Sequence, residues 1–298
     1  MFSFLFGILL TITGVLGPFL VEPALGLAVF SAFTHITPDQ LSIIQFRAPF
    51  IVAIATLLGY LISKDYPRKF NKFPLEMKLY AVILIGMYLG ARNAYVSRLA
   101  FEHFTIYFKY GVFLLLMVNI LDSLKRIELF NDFLILGAAW LVYKCWDLRG
   151  TTGARFENIG GGTVGDSNQY AAALIILLPL VFMRVFRTSS PVYIRVGALL
   201  GVFGMIMAIL ISVSRGAFLG LSVSVVCFLI LFQQYRKYTI ICALLLALAV
   251  SPFVPEHYYS RIDTIFSSED QSRDYSAQSR LVFWGTAIGV WKQHPVYG

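Results

Sequence analysis

Three arginines lie where a largely apolar chain turns polar, and their chemistry suits a phosphate group. They are Arg215 in ISVSRGAFLG, Arg261 in SRIDTI and Arg280 in QSRLVFWG. A permanent cation beside hydrocarbon is costly, so each arginine needs an anionic partner or access to water. The guanidinium group offers paired N–H donors that match phosphate oxygens. These residues therefore predict recognition of a phosphate-bearing lipid.

The composition is that of a protein that crosses a membrane many times. The chain has 298 residues, of which 58% are hydrophobic and 13% are charged, whereas soluble domains are about one-quarter charged. The net charge of +8 could suit nucleic acid. However, the basic residues fall between apolar segments, which is typical of membrane topology and of contact with anionic headgroups. We expect membrane lipids and no nucleic acid as partners, and the three isolated cysteines predict neither a disulfide framework nor a metal site.

Ten apolar segments predict an all-α fold, a bundle of about ten transmembrane helices. A helix needs about 20 apolar residues to cross the hydrocarbon layer, although shorter ones are tolerated inside a bundle. The segments lie near residues 2–16, 19–33, 43–63, 76–91, 104–121, 131–147, 168–186, 196–213, 216–233 and 238–254. We assign residues 1–255 to this multi-span domain.

Basic residues divide the loops into two alternating sets. Six lysines and six arginines lie in four loops, which should face the cytoplasm. These loops lie near residues 64–78, 125–126, 184–195 and 236–237. The basic residues on the opposite side are mostly arginine. Membrane topology alone does not explain a preference for arginine over lysine, whereas recognition of phosphate or carboxylate groups would explain it. The alternative is pairing with the acidic residues Asp147, Glu157, Asp166, Asp263 and Asp274.

Two junctions on the arginine-rich side could hold an anion. In GGGTVGDSNQYA, Asp166 or Ser167 should cap a helix that starts near Asn168, and a helix start favours negative charge. In Ser214-Arg215-Gly216, two spans follow each other with almost no loop, which holds Arg215 at the membrane edge. Extension of this arginine toward the headgroups is the simpler alternative.

The last segment, 256–298, should lie outside the membrane and contain one amphipathic helix at the interface. Leu281, Trp284, Ile288 and Trp291 recur at helical spacing. Arg280 should enter the first turn, where the helix dipole disfavours a cation unless an anion is bound nearby. A solvated arginine is equally consistent with the local sequence.

Together these motifs resemble the bacterial O-antigen ligase and O-antigen polymerase superfamily, and within it the exosortase-associated O-glycosylation ligases. The matching motifs are Gly165-Asp166-Ser167-Asn168, Ser214-Arg215-Gly216, Arg261-Ile262, Ser279-Arg280 with Trp284, and His294-Pro295 with Gly298. The resemblance extends over essentially the whole chain, and it depends on the order and spacing of the motifs.

The resemblance implies a GT-C-like glycosyltransferase of the bacterial inner membrane. Such an enzyme transfers a glycan from an undecaprenyl-diphosphate carrier to a lipid, glycan or protein acceptor at the periplasmic face, without a metal or other cofactor. It implies that Arg215 and Arg280 are catalytic and hold the donor diphosphate. By the same resemblance, Asp166, Asn168, Ser214 and Arg261 belong to the substrate site.

The sequence departs from the family after the HP..G motif. The family continues into a second half of the outer loop with a histidine that activates the acceptor, so residues 256–298 should be the first part of a truncated periplasmic loop. We expect donor binding by this chain without turnover. A polymerase with the same donor, a transporter of anionic lipid or polysaccharide, and a non-enzymatic scaffold remain alternatives.

Overall fold

The computed structural model describes residues 2–36, 47–66, 70–148, 166–187, 190–212, 214–250 and 275–295. Within these residues the chain forms helices joined by turns, and no strand occurs. The helices are α1 (Phe2–Leu20), α2 (Pro23–Phe33), α3 (Ala48–Ile62), α4 (Leu75–Asn93), α5 (Ser97–Ile120), α6 (Leu124–Leu148), α7 (Ser167–Phe186), α8 (Val192–Ile211), α9 (Arg215–Leu231), α10 (Arg236–Val250) and α11 (Tyr275–Gln293), with a 3-10 turn at Gln233–Tyr235. Each of the ten predicted segments contains a helix, so the all-α class is confirmed.

Three described helices are long and apolar enough to cross a membrane: α5 with 24 residues, and α7 and α8 with 20 each. A fourth candidate is the pair Gly216–Leu231 and Gln233–Ile241, which is bent by 104°. Helix α3 has 15 residues, which correspond to about 22 Å against a hydrocarbon thickness of about 30 Å. The helices indicate a membrane protein, while the count of ten spans and the GT-C-like arrangement stay predictions.

The chain divides into two compact units. The first comprises Met1–Thr56 and Glu128–Phe266, and the second comprises Leu57–Ile127 and Ser267–Gly298. The predicted boundary between residues 255 and 256 separates the membrane-spanning part of the chain from its outer segment. The two compact units do not test that boundary.

The first unit has its main core between α6, α7, α8 and α9. Leu141, Tyr170, Leu174 and Ile209 are almost completely buried there. The Tyr170 hydroxyl donates to the main-chain oxygen of Leu141 at 2.9 Å, so the polar tip of this buried ring is satisfied. This bond fixes the first turns of α7 against α6.

A smaller core in the first unit lies between α1, α2 and α3. A Cβ atom at Gly14 would lie 2.7 Å from methyl carbons of both Val29 and Val52. Branched side chains have little rotational freedom. The close approach of these three helices therefore requires a glycine at position 14.

In the second unit, α4 and α5 form an antiparallel pair. The Tyr80 hydroxyl donates to the main-chain oxygen of Tyr107 at 2.8 Å. The Asn119 side chain accepts from the N–H of Lys72 and donates to its C=O, both at 3.0 Å. Since Asn119 is buried, this pair of bonds anchors the loop before α4 on the end of α5.

Helix α11 is present, but its apolar side chains are not confined to one side. Leu281, Val282, Phe283 and Trp284 follow one another and are 58–69% exposed. Four consecutive residues cover the whole circumference of a helix, which turns about 100° per residue. The prediction of an amphipathic helix is therefore wrong, because it considered only the residues at helical spacing.

Candidate functional site

The site begins at the N-terminus of α7. Asp166 has an extended backbone, and its Oδ1 atom accepts from the N–H groups of Asn168 at 2.6 Å and Gln169 at 2.9 Å. Two of the N–H groups that lack a partner within the helix are thereby satisfied. The capping role predicted for Asp166 is confirmed.

The N-terminus of α9 is capped in the same manner. Ser214 is extended, and its Oγ atom accepts from the N–H of Ala217 at 3.2 Å. Helix α8 ends at Ile211 and α9 begins at Arg215, so the tight turn predicted from the sequence is present. Arg215 occupies the first helical position, where its main-chain N–H points out of the helix start.

One hydrogen bond joins the two helix starts. The Ser214 hydroxyl donates to Oδ1 of Asn168 at 2.6 Å, across 46 residues of sequence. Ser214 is only 2% exposed, whereas Asn168 is exposed. We call Asp166, Asn168, Ser214 and Ala217 the helix-start junction. The positive ends of two helix dipoles meet at this junction; the carboxylate of Asp166 offsets that of α7, and the start of α9 favours an anion.

The bonding pattern fixes the orientation of the Asn168 amide. The Ser214 oxygen accepts from the N–H of Ala217, and its hydroxyl hydrogen is directed at Oδ1 of Asn168. Only the amide oxygen of asparagine can accept that hydrogen. The Nδ2 group of Asn168 is then directed away from Ser214 and can donate to a ligand.

The remaining predicted residues fall in different places. Arg261 lies outside the described residues. Arg280 is an exposed residue of the second unit, in α11. Because α11 begins at Tyr275, Arg280 is the sixth helical residue and not part of the first turn. The prediction that the helix dipole disfavours the Arg280 cation is therefore wrong, since the influence of the dipole fades within the first turn.

His35 has local hydrogen-bond partners at the end of α2. Its Nδ1 atom lies 2.8 Å from Thr34 Oγ1 and 3.3 Å from the main-chain oxygen of Ser31. Burial lowers the pKa of His35 below its ordinary value of 6.5, and the bond to Ser31 partly opposes this shift. These contacts favour a structural role for His35. Within the described ranges, no three His, Cys, Asp or Glu side chains could hold a metal ion together.

The geometry defines an all-helical membrane protein with an anion-favouring junction between two helix starts. Residues 200–298 match the family model described as O-antigen ligase. The matched region includes Ser214, Arg215 and Arg280, and the match supports the resemblance to the O-antigen ligase superfamily. No curated protein and no solved structure gave a significant match.

Sequence reasoning named Asp166, Asn168 and Ser214 separately and missed their bonding. It also missed Tyr170, which anchors α7 one turn below the junction. The available signal was topological, since both motifs were assigned to the same side of the membrane. No local pattern links side chains that are 46 residues apart.

Proposed function

We propose that the protein is a glycan ligase that takes its donor from an undecaprenyl-diphosphate carrier at the periplasmic face of the bacterial inner membrane. The observation that carries this proposal is the hydrogen bond between Asn168 and Ser214 beside Arg215. It brings a motif outside the matched family region together with a motif inside it, at the start of two helices. A diphosphate needs such a concentration of N–H donors and positive charge.

The junction residues would act on the donor. When the bond between the sugar C1 and the diphosphate oxygen breaks, negative charge grows on that oxygen. Nδ2 of Asn168 and the first N–H groups of α9 are donors held in place before the reaction. Arg215 and Arg280 supply permanent cations. Asp166 holds the first turn of α7, and Arg261 supports the same substrate site in this proposal.

The acceptor hydroxyl forms the new bond to C1 and loses its proton to a base. The carboxylate of Asp166 caps α7 through its Oδ1 atom, so we assign the residues of the junction to the donor side alone. The product identifies the acceptor class: joining of two lipid-linked glycans indicates a polymerase, and transfer to a different lipid or protein indicates a ligase.

The proposal is tested by donor binding in proteoliposomes with an undecaprenyl-diphosphate-linked glycan. Loss of a hydrogen bond to a charged group costs about 1.5–3 kcal/mol, so Arg215→Ala and Arg280→Ala should each weaken binding about 10- to 150-fold. Arg215→Lys should recover part of the affinity, because it retains the charge without the paired donors.

Arg98→Ala is the matched control. Arg98 lies on the same predicted side, is highly exposed and pairs with Glu102 on its own helix. It should bind the donor as the unaltered protein does. Unchanged donor binding by both Arg215→Ala and Arg280→Ala would refute the assignment.

A further inference from the structure

A second site lies at the opposite end of α7, in a cleft between α6, α7 and α8. Its volume is about 470 Å³, which is within the range of about 300–1,000 Å³ for small-molecule sites. Most of its lining is apolar and includes Val142, Val181 and Ile194. Its charged lining residues are Asp132 and Arg184.

Helix α8 leaves the cleft open because it contributes residues with little or no side chain. Gly197, Ala198 and Gly201 all line it. A Cβ atom at Gly197 would have no neighbour within 4 Å, and one at Gly201 would touch only Val181, at 3.4 Å. The missing side chains create an apolar channel between two helices that are themselves candidate membrane spans. Its apolar lining suits an acyl chain.

The polar end of the cleft carries both signs of charge. Arg184 forms an ion pair with Asp132; the Arg184 side chain is 20% exposed and that of Asp132 is 56% exposed. Arg187 pairs with Glu128 at 2.9 Å, and Arg195 donates to the main-chain oxygen of Val185 at 2.9 Å. Three arginines and two carboxylates thus lie near this end of the cleft. A headgroup with a phosphate and an ammonium group would complement both partners of the exposed ion pair.

From this arrangement we propose that the cleft binds an aminophospholipid. One acyl chain lies along Gly197 and Gly201, the phosphate contacts Arg184, and the ammonium group contacts Asp132. Basic pockets between membrane helices are known headgroup sites. Arg184 is 16 residues after Asn168 on the same helix, which places it about 24 Å away. The lipid site is therefore separate from the helix-start junction and independent of the donor.

The test is lipid retention measured by native mass spectrometry after reconstitution with equal amounts of phosphatidylethanolamine and phosphatidylglycerol. The unaltered protein should retain phosphatidylethanolamine preferentially. Gly197→Leu fills the apolar channel and should reduce retention at least tenfold. Gly86→Leu is the matched control, since a Cβ atom at Gly86 also has no neighbour within 4 Å and Gly86 lies in the other unit. It should retain lipid normally.

Asp132→Asn separates the headgroup assignment from the channel assignment. It should abolish the preference for phosphatidylethanolamine while lipid is still retained, because the amide cannot attract the ammonium group electrostatically. Normal lipid retention by Gly197→Leu would overturn the site itself. Equal retention of both lipids by the unaltered protein would overturn the proposed headgroup.

Discussion

Replacing Ser214 by alanine should measure how strongly the two helix starts depend on each other. The hydroxyl of Ser214 makes two hydrogen bonds, to Asn168 and from Ala217, and the side chain is nearly inaccessible to water. Loss of a helix cap costs about 0.5–2 kcal/mol, and loss of a typical hydrogen bond costs about 0.5–1.5 kcal/mol. Because one oxygen serves both bonds, the two costs are not independent. We expect Ser214→Ala to lower the free energy of unfolding by about 2 kcal/mol.

Asn168→Ala should cost less, about 1 kcal/mol, because Asn168 is exposed and Ser214 can still cap α9. The double variant should be more stable than the sum of the single effects predicts. A coupling energy of about 0.5–1.5 kcal/mol is expected for residues that share a bond. The assay is reversible unfolding in detergent micelles, performed on the four members of the mutant cycle.

Ser222→Ala is the control for the cycle. Ser222 lies on α9, is exposed, and donates only to the main-chain oxygen of Phe218 at 2.9 Å. Its replacement should change the free energy of unfolding by less than about 0.5 kcal/mol. The reasoning fails if Ser214→Ala is as mild as Ser222→Ala, or if the effects of Ser214→Ala and Asn168→Ala are additive.

Two further predictions concern packing and pH. Gly14→Ala should lower the free energy of unfolding by about 1–3 kcal/mol because its Cβ atom would overlap Val29 and Val52. Gly86→Ala should raise the free energy of unfolding by about 0.5–1 kcal/mol, since alanine favours a helix over glycine and a Cβ atom there meets no neighbour. Thermal unfolding in which both variants shift the midpoint in the same direction would contradict this. Since the pKa of folded His35 is lowered from 6.5, the unfolded chain binds more protons just below that pH. The free energy of unfolding should therefore be constant above about pH 6.5 and fall as the pH decreases toward the pKa of folded His35. When it is measured at several pH values, the free energy of unfolding of His35→Gln should decrease less steeply below about pH 6.5 than that of the unaltered protein.

The sequence predicted those features whose signals are local. Asp166 precedes a long apolar segment and is followed by Ser167 and Asn168, so the cap of α7 could be recognised from the sequence alone. The start of α11 was missed because residues 276–278 are Ser, Ala and Gln, which continue a helix without adding to an apolar pattern. That error moved Arg280 from the second turn to the first.

Contacts between distant segments could not be predicted in this way. The cleft is lined by Gly197 and Gly201 of α8 together with Val181 of α7 and Val142 of α6. In the sequence these glycines are ordinary small residues of a membrane span, which commonly permit helix contact. Whether such a glycine packs tightly or opens a cleft depends on its partner helix. At Gly204 the partner is Val142, and a Cβ atom would lie only 2.9 Å from it, whereas Gly197 faces open space.

The two ends of α7 explain why the two proposed ligands should be held by different groups. At its start, the bond between Asn168 and Ser214 places α7 beside the start of α9, whose dipole is positive and whose first N–H groups point out of the helix, so a diphosphate can be bound partly by the backbone. At its end, near Arg184, the dipole is negative and attracts cations. A phosphate there must be held by arginine side chains, while an ammonium group is favoured by both the dipole and Asp132. The charge pattern along one helix thus separates the proposed anionic donor at the junction from the proposed zwitterionic lipid at the cleft.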